Sequence, residues 1–330
     1  MKKILQLLFE HKTLSRVKAK EVLIQIAAGH FNEHEITSFM TVYLMRSITV
    51  EELQGFQDAL LELCVPVDLG TQDLMDIVGT GGDGKNTFNI STLACFVVAG
   101  AGQKVAKHGN YGASTVSGAS NVMEQMGYTF KNDSAALRKE VEEAGICFLH
   151  APMFHPALKV VGPIRRNLGM RTFFNMLGPM VNPSRPAYQV IGVFSLEMAR
   201  VYTYMLQKGN RNFTIVHGLD GYDEISLTND TKVITPQGEF IKSAFELGKR
   251  SVTLESISGG STVEEAAAIF KNILEGKGSD AQNAVVLANA AIALFSTGKY
   301  KDYDAAFDAA TQSLHQGKAL NCLHKLVALQ

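Results

Sequence analysis

The sequence predicts an α/β protein: a small all-helical N-terminal domain, then a larger α/β domain with a mostly parallel central sheet flanked by helices. Three observations predict it. Two capping-box patterns, each leading into apolar residues at helical spacing, open helices within residues 1–66. A short apolar run, Leu74–Val78, then ends in a cluster of glycines, which suits a buried strand. An all-apolar helical stretch and a second short run follow, and strand–loop–helix–strand order implies parallel pairing.

The first capping box is Asn32 with Glu35, followed by Ile36, Phe39, Met40 and Tyr43. The second is Thr49 with Glu52, followed by Leu53, Phe56, Leu60 and Leu61. These helices carry no charged motif, so a packing role is expected. Ser91–Ala101 reads as the buried helix, and Val105 with Ala106 as the second strand. Further strands are expected at Gln189–Phe194 and Phe213–Val216, and Val233–Ile241, broken by Gly238, reads as a hairpin. From Ser261 the chain is helical again, with a long apolar face at Ala281–Phe295.

Composition excludes several classes. The 330 residues are 46% hydrophobic, enough to bury a core. Lys plus Arg is 31 and Asp plus Glu is 32, a net charge of −1. Nucleic-acid and membrane-surface binders rely on a basic excess, so neither partner is expected. Cys64, Cys95, Cys147 and Cys322 lie far apart without metal-type spacing, which fits a reducing, cytoplasmic setting. Met1-Lys2-Lys3 leads into an apolar run broken by Glu10, His11 and Lys12, so no signal peptide is read. No run approaches the roughly 18 apolar residues of a membrane span.

Ten of the 29 glycines fall between Gly79 and Gly127. Residues 79–84, GTGGDG, superficially match two phosphate motifs. The dinucleotide fingerprint requires a helix starting within the glycines and an acid about 20 residues on. Here the helix starts near Ser91, and no Asp or Glu occurs from Gly84 to Met123. The P-loop requires Ser or Thr after its lysine, and Asn86 follows Lys85. A third reading fits better. The acid-free window holds Lys85, Lys104 and Lys107, and places Asn89, Ser91 and Thr92 at a helix N-terminus. Free N–H groups and the positive helix end favour an anion there, and glycines admit phosphate close to the backbone. Lys107-His108-Gly109-Asn110 follows the second strand, so the two loops should lie side by side at the carboxyl edge of the sheet. The stretch Gly112–Ser120, with Ser114, Thr115 and Ser117, offers further donors.

These blocks together resemble the anthranilate phosphoribosyltransferase family. The resemblance rests on Asp76–Thr92 (DIVGTGGDGKNTFNIST), Lys107–Asn110 (KHGN) and His155-Pro156. It extends through Arg165, Arg171–Gly178 (RTFFNMLG) with Pro179, Asn182-Pro183, and His217–Ser226 (HGLDGYDEIS). It implies transfer of phosphoribose from phosphoribosyl pyrophosphate (PRPP) to the amine of anthranilate, by a cytoplasmic homodimer. The helical domain would be residues 1–70, completed by about 163–187; the α/β domain would be 71–162 and 188–330. PRPP would contact Gly79, Gly82, Asp83, Thr87, Asn89, Ile90, Ser91, Thr92, Lys107, His108, Gly109 and Ala119. Anthranilate would contact Gly79, Asn110 and Arg165. Ser91, Asp223 and Glu224 would bind magnesium, two ions per site. Tyr111, Gly112, Ala119 and Asn121 depart from the family's usual residues.

The chemistry needs these residue types. A leaving pyrophosphate gains negative charge, which a hard cation held by carboxylates offsets. A carboxylate substrate calls for arginine. Arg165 and Arg166 point about 100° apart on a helix, so only one faces a given site. The amine of anthranilate is neutral at pH 7, so no covalent nucleophile is expected, and structural or orienting roles suit His108 and His155. The alternatives are a related-fold pyrimidine nucleoside phosphorylase, a divergent paralogue with another acceptor, and a nucleic-acid-binding relative.

Overall fold

The computed structural model describes residues 1–112, 115–209 and 212–330. In chain order the elements are α1 (Lys2–Phe9), α2 (Arg16–Ala27), α3 (Glu33–Met45), α4 (Val50–Leu63), β1 (Met75–Gly79), α5 (Ile90–Gly100) and β2 (Val105–Gly109). Next come α6 (Ala119–Gln125), α7 (Ser134–Glu143), β3 (Ile146–His150), α8 (Ala151–Phe154), α9 (Ala157–Leu168), β4 (Tyr188–Gly192), α10 (Leu196–Leu206) and β5 (Asn212–Gly218). The last are β6 (Thr231–Thr235), β7 (Gly238–Lys242), α11 (Ala244–Gly248), α12 (Val263–Leu274), α13 (Asp280–Ser296), α14 (Tyr303–His315) and α15 (Lys318–Ala328). They form two compact units: Met1–Pro66 with Ala151–Pro183, and Val67–His150 with Ser184–Gln330.

In the helical unit both capping boxes form. The Glu35 N–H donates to Asn32 Oδ1 at 3.0 Å and the Asn32 N–H to Glu35 Oε2 at 3.1 Å. Glu52 closes its box with Thr49 and also accepts from the Leu14 N–H at 3.0 Å and from Arg46 Nη1 at 3.0 Å. Burial opposes ionisation of Glu52, but these donors outweigh it and hold its carboxyl below the usual range. The later segment joins this unit from Ala151, earlier than the expected start near 163. One contact bears on the difference: the Val65 N–H donates to the Phe154 carbonyl; within the expected part, Phe173 stacks on Phe56 at 4.5 Å.

The α/β unit has one sheet in the order β3-β2-β1-β4-β5-β6-β7. The first five strands are parallel, and β6 and β7 pair as an antiparallel hairpin. Gly238 opens β7 at the turn, where its φ of 149° lies outside the range most side chains adopt. Strand β3 was not among the expected elements. Its five residues, ICFLH, are all buried and show no alternation, and such a run is not separable by period from buried helix. Helices α5 and α13 are buried almost all round, and their packing forms the core on one face of the sheet.

Chain direction matters for function. From β1 the chain moves to β2 and β3 on one side, then returns to place β4 on the other side of β1. The sheet therefore has a topological switch point between the carboxyl ends of β1 and β4, where open α/β sheets bind ligands. No helix among the described residues is long and apolar enough to cross a membrane.

Candidate active site

Strand β1 ends at Gly79, and the chain then turns through Gly81, Gly82 and Gly84 with φ of 67°, 76° and 76°. These left-handed conformations are cheap only for glycine, which accounts for the residue type. The Asp83 carboxylate folds back to accept from the Lys85 N–H at 3.0 Å. Asn89 precedes α5 but does not cap it with its side chain. Its amide instead donates to the Ser117 carbonyl at 3.1 Å, tying the first loop to the second. Asn89 Oδ1 and Thr80 Oγ1 are buried without partners among the described residues. The first turn of α5 is thus not closed by a local hydroxyl.

Its acceptor comes from far along the chain. Glu224 Oε1 accepts from the Ser91 N–H at 3.0 Å, and Thr87 Oγ1 donates to Glu224 Oε2 at 3.3 Å. Asp223 Oδ2 accepts from the Gly81 N–H at 2.6 Å. Burial, then the charge of Asp83, pushes the Asp223 carboxyl up to about 7. Burial, then Asp223, pushes Glu224 well above the usual range. Three carboxylates therefore repel one another at the edge of a glycine loop. A hard divalent cation fits such a set, because it would offset the repulsion and accept the hydroxyl of Ser91 as a further ligand. Among the described residues no three or more His, Cys, Asp or Glu side chains are grouped to hold a metal by themselves. A cation here would need oxygens from a substrate, the usual arrangement for magnesium.

Two glycines make room for this pair. A Cβ on Gly79 would lie 2.4 Å from Asp223 Oδ2 and one on Gly192 would lie 1.6 Å from the Asp223 carbonyl oxygen. Gly79 and Gly192 are the carboxyl-terminal residues of β1 and β4, the two strands of the switch point. Gly192 was not among the expected site residues. Its signal was present: a lone glycine inside the apolar run Gln189–Phe194 marks close backbone approach.

The other expected residues have mixed settings. Lys107 is 2% exposed, and its ammonium donates to the Ile77 carbonyl at 2.8 Å, beneath the end of β1. His108 is buried, and its backbone N–H donates to Asp76 Oδ1 at 3.3 Å. Gly109 leaves room for Phe148, whose ring carbon would lie 2.6 Å from an added Cβ. Asn110 is exposed. Ile90 and Thr92 are buried, and Ala119 opens α6. Of the departures from the family pattern, Tyr111 donates to Glu124 Oε1 at 2.7 Å, and Asn121 Oδ1 accepts from the Gly112 and Gly118 N–H groups, each at 3.0 Å. Ser114 lies outside the described residues.

In the helical unit, α9 carries Arg165 and Arg166 on different faces: Arg166 is exposed and Arg165 partly buried. Arg165 Nη2 donates to Asn175 Oδ1 at 3.2 Å, and the guanidinium lies 5.5 Å from the centre of the Phe174 ring. Arg165 Nε is buried without a partner among the described residues, an arrangement that invites an anionic acceptor. His155 is buried beside backbone groups of Val181 and Leu60, and burial pushes its imidazole down to about 4. A histidine held neutral in this way contributes stability above its unfolded value of 6.5, which is lost as pH falls toward 4. We expect the native chain to lose up to about 3 kcal/mol more than His155→Gln over that interval. Equal slopes of Tm against pH for the two would refute it.

Known proteins match this chain throughout. Residues 71–320 match the glycosyl transferase family, a/b domain, and residues 2–64 its helical bundle domain. Anthranilate phosphoribosyltransferase of Flavobacterium johnsoniae is 56% identical over 329 residues, covering 100% of this chain and 99% of that one. The enzyme of the same name from Bacteroides thetaiotaomicron is 53% identical with the same coverage. The crystal structure of anthranilate phosphoribosyltransferase from Thermus thermophilus superposes with a TM-score of 0.92 at 32% identity, covering 98% of each chain. The Saccharomyces cerevisiae enzyme in complex with PRPP and Mg gives 0.88 at 28% identity, covering 96% of this chain and 93% of that one. With its helical bundle, mostly parallel sheet and carboxylates at the switch point, the chain belongs to the anthranilate phosphoribosyltransferase family.

Proposed function

We propose that this chain transfers the 5-phosphoribosyl group of PRPP to the amino group of anthranilate, releasing pyrophosphate, in tryptophan biosynthesis. The observation that carries the reading is the set Asp83, Asp223 and Glu224, held against a glycine loop and the N-terminus of α5. A nitrogen–C1 bond forms, the C1–oxygen bond breaks with its electrons leaving on pyrophosphate, and the amine proton passes to solvent.

Residues Gly79 to Thr92 are assigned to the donor. Backbone N–H groups at the left-handed glycines and the first turn of α5 offer hydrogen bonds to phosphate oxygens. Lys107 adds positive charge beneath them, and Asn89 holds the neighbouring loop. Asp223, Glu224 and Ser91 are assigned to magnesium, which when bound offsets charge on the leaving pyrophosphate. Two ions per site is the stoichiometry the resemblance supports. Arg165 is assigned to the anthranilate carboxylate, supported by its unpartnered Nε, and Asn110 and Gly79 to the same ligand. The neutral amine needs no strong base, so we assign no nucleophile and no covalent intermediate. Positioning near C1 supplies acceleration of the kind an intramolecular reaction shows. We infer a cytoplasmic homodimer, a setting in keeping with the absence of disulfides among the described residues.

Anthranilate fluorescence tests the function: it should fall when the chain, PRPP and magnesium are mixed, and persistence at high enzyme concentration would overturn it. Phosphorolysis of thymidine or uridine would indicate the phosphorylase instead. Arg165→Ala is expected to raise the KM for anthranilate roughly 10- to 100-fold, the loss of one charged hydrogen bond. The KM for PRPP should change little, and equal damage to both would place Arg165 elsewhere.

A further inference from the structure

Helix α13 is apolar around most of its surface, with Val285, Val286, Ala288, Ala290 and Ala291 buried. One amide interrupts this wall: Asn289, 3% exposed. Its Oδ1 accepts from the Ile225 N–H at 3.1 Å, and its Nδ2 donates to the Ile225 carbonyl at 2.8 Å and to the Val285 carbonyl at 2.9 Å. Asn289 thus engages both polar backbone groups of Ile225, as a neighbouring strand would. Ile225 immediately follows Asp223 and Glu224.

We propose that Asn289 is a positioning residue that holds Asp223 and Glu224 in place for the metal. This rests on the reading of those carboxylates given above. Electrostatics adds a reason to the geometry. Three buried or half-buried acids repel, so the segment carrying two of them needs a restraint. A charged anchor close by would disturb their field. A neutral side chain that donates and accepts restrains the backbone without adding charge. The hold extends downstream, where Leu227 adopts φ 60° and its carbonyl accepts from the Val252 N–H at 3.0 Å. Upstream, Gly192 leaves space for the Asp223 carbonyl. The pair is therefore fixed from a strand end on one side and from α13 on the other.

Asn289→Leu tests this with a residue that suits the apolar wall but leaves Ile225 unpaired. The magnesium concentration for half-maximal loss of anthranilate fluorescence should rise 10- to 100-fold, the usual consequence of losing a support behind a metal ligand. Saturating magnesium should restore kcat, and the KM for anthranilate should stay within about twofold. Magnesium-independent activity in the native chain would overturn the assignment of the carboxylates, and this role with it. A magnesium-dependent native chain beside a folded Asn289→Leu with unchanged half-saturation would overturn the role of Asn289 alone. Should the variant not fold, hydrogen exchange on the native chain decides. The Ile225 amide should be as protected as the amides of α13, and exchange at the rate of an exposed turn would overturn the clamp.

Discussion

Gly192→Ala is expected to abolish most of the activity, although the substitution adds only a methyl group. That methyl would lie 1.6 Å from the Asp223 carbonyl oxygen, which is backbone and has no rotamer to relieve the clash. Either β4 or the Asp223–Glu224 segment must move. β4 is paired in register to β1 and β5 along its length, so the carboxylate segment should give way. Displacement near 1 Å in a reacting site lowers rate by about 100-fold. Overpacking of this kind costs about 1–3 kcal/mol of stability. The check is kcat with Tm measured in parallel: activity within threefold of native would show that Gly192 is not a wall of the site. Gly79→Ala, which meets the Asp223 carboxylate more closely than its backbone, should be less severe.

Asp223→Asn is expected to separate stability from activity. The asparagine keeps an acceptor for the Gly81 N–H while removing a charge that Asp83 and Glu224 oppose. Without ligands, at pH 8, its Tm should be higher than native, because buried repulsion is relieved. Its turnover should fall by about 100- to 1000-fold, the range seen when one electrostatic stabiliser of developing charge is lost. Its magnesium dependence should flatten as well. A variant both less stable and normally dependent on magnesium would remove Asp223 from the metal and leave it a structural part of the loop. Active sites commonly sacrifice stability in this way.

The fold was readable where local rules dominate. Capping boxes name their own partners, and Asn32–Glu35 and Thr49–Glu52 close as their spacing requires. Strand β1 and helix α5 lie within a residue or so of the expected bounds, because a glycine ends each of them. Strand β3 escaped because burial on both faces removes alternation, leaving only a short apolar run. The site divides similarly. Helix-end reasoning reaches Ser91 but not the acceptor facing its N–H, since Glu224 is more than a hundred residues away. The lone glycine in Gln189–Phe194 signals a close approach at Gly192 but not its partner Asp223, and the contact of Asn289 with Ile225, 64 residues away, has no local pattern at all. The positive charge of Lys107 is visible in the sequence, whereas its commitment to Ile77 follows from strand pairing.

The switch point also has a kinetic consequence. Met75 in β1 pairs with Tyr188 in β4, and Asn289 meets Ile225. Apart from the short turn at Asp83–Lys85, the contacts that assemble the site join residues far apart along the chain, so the site is expected to form late in folding, after the crossovers are made. Contacts that form after the rate-limiting step leave the folding rate almost unchanged and govern unfolding instead. Bound donor should therefore lengthen the lifetime of the native chain without hastening its formation. In a cell, substrate supply would then set how long each molecule resists unfolding and degradation, and not how quickly new molecules mature.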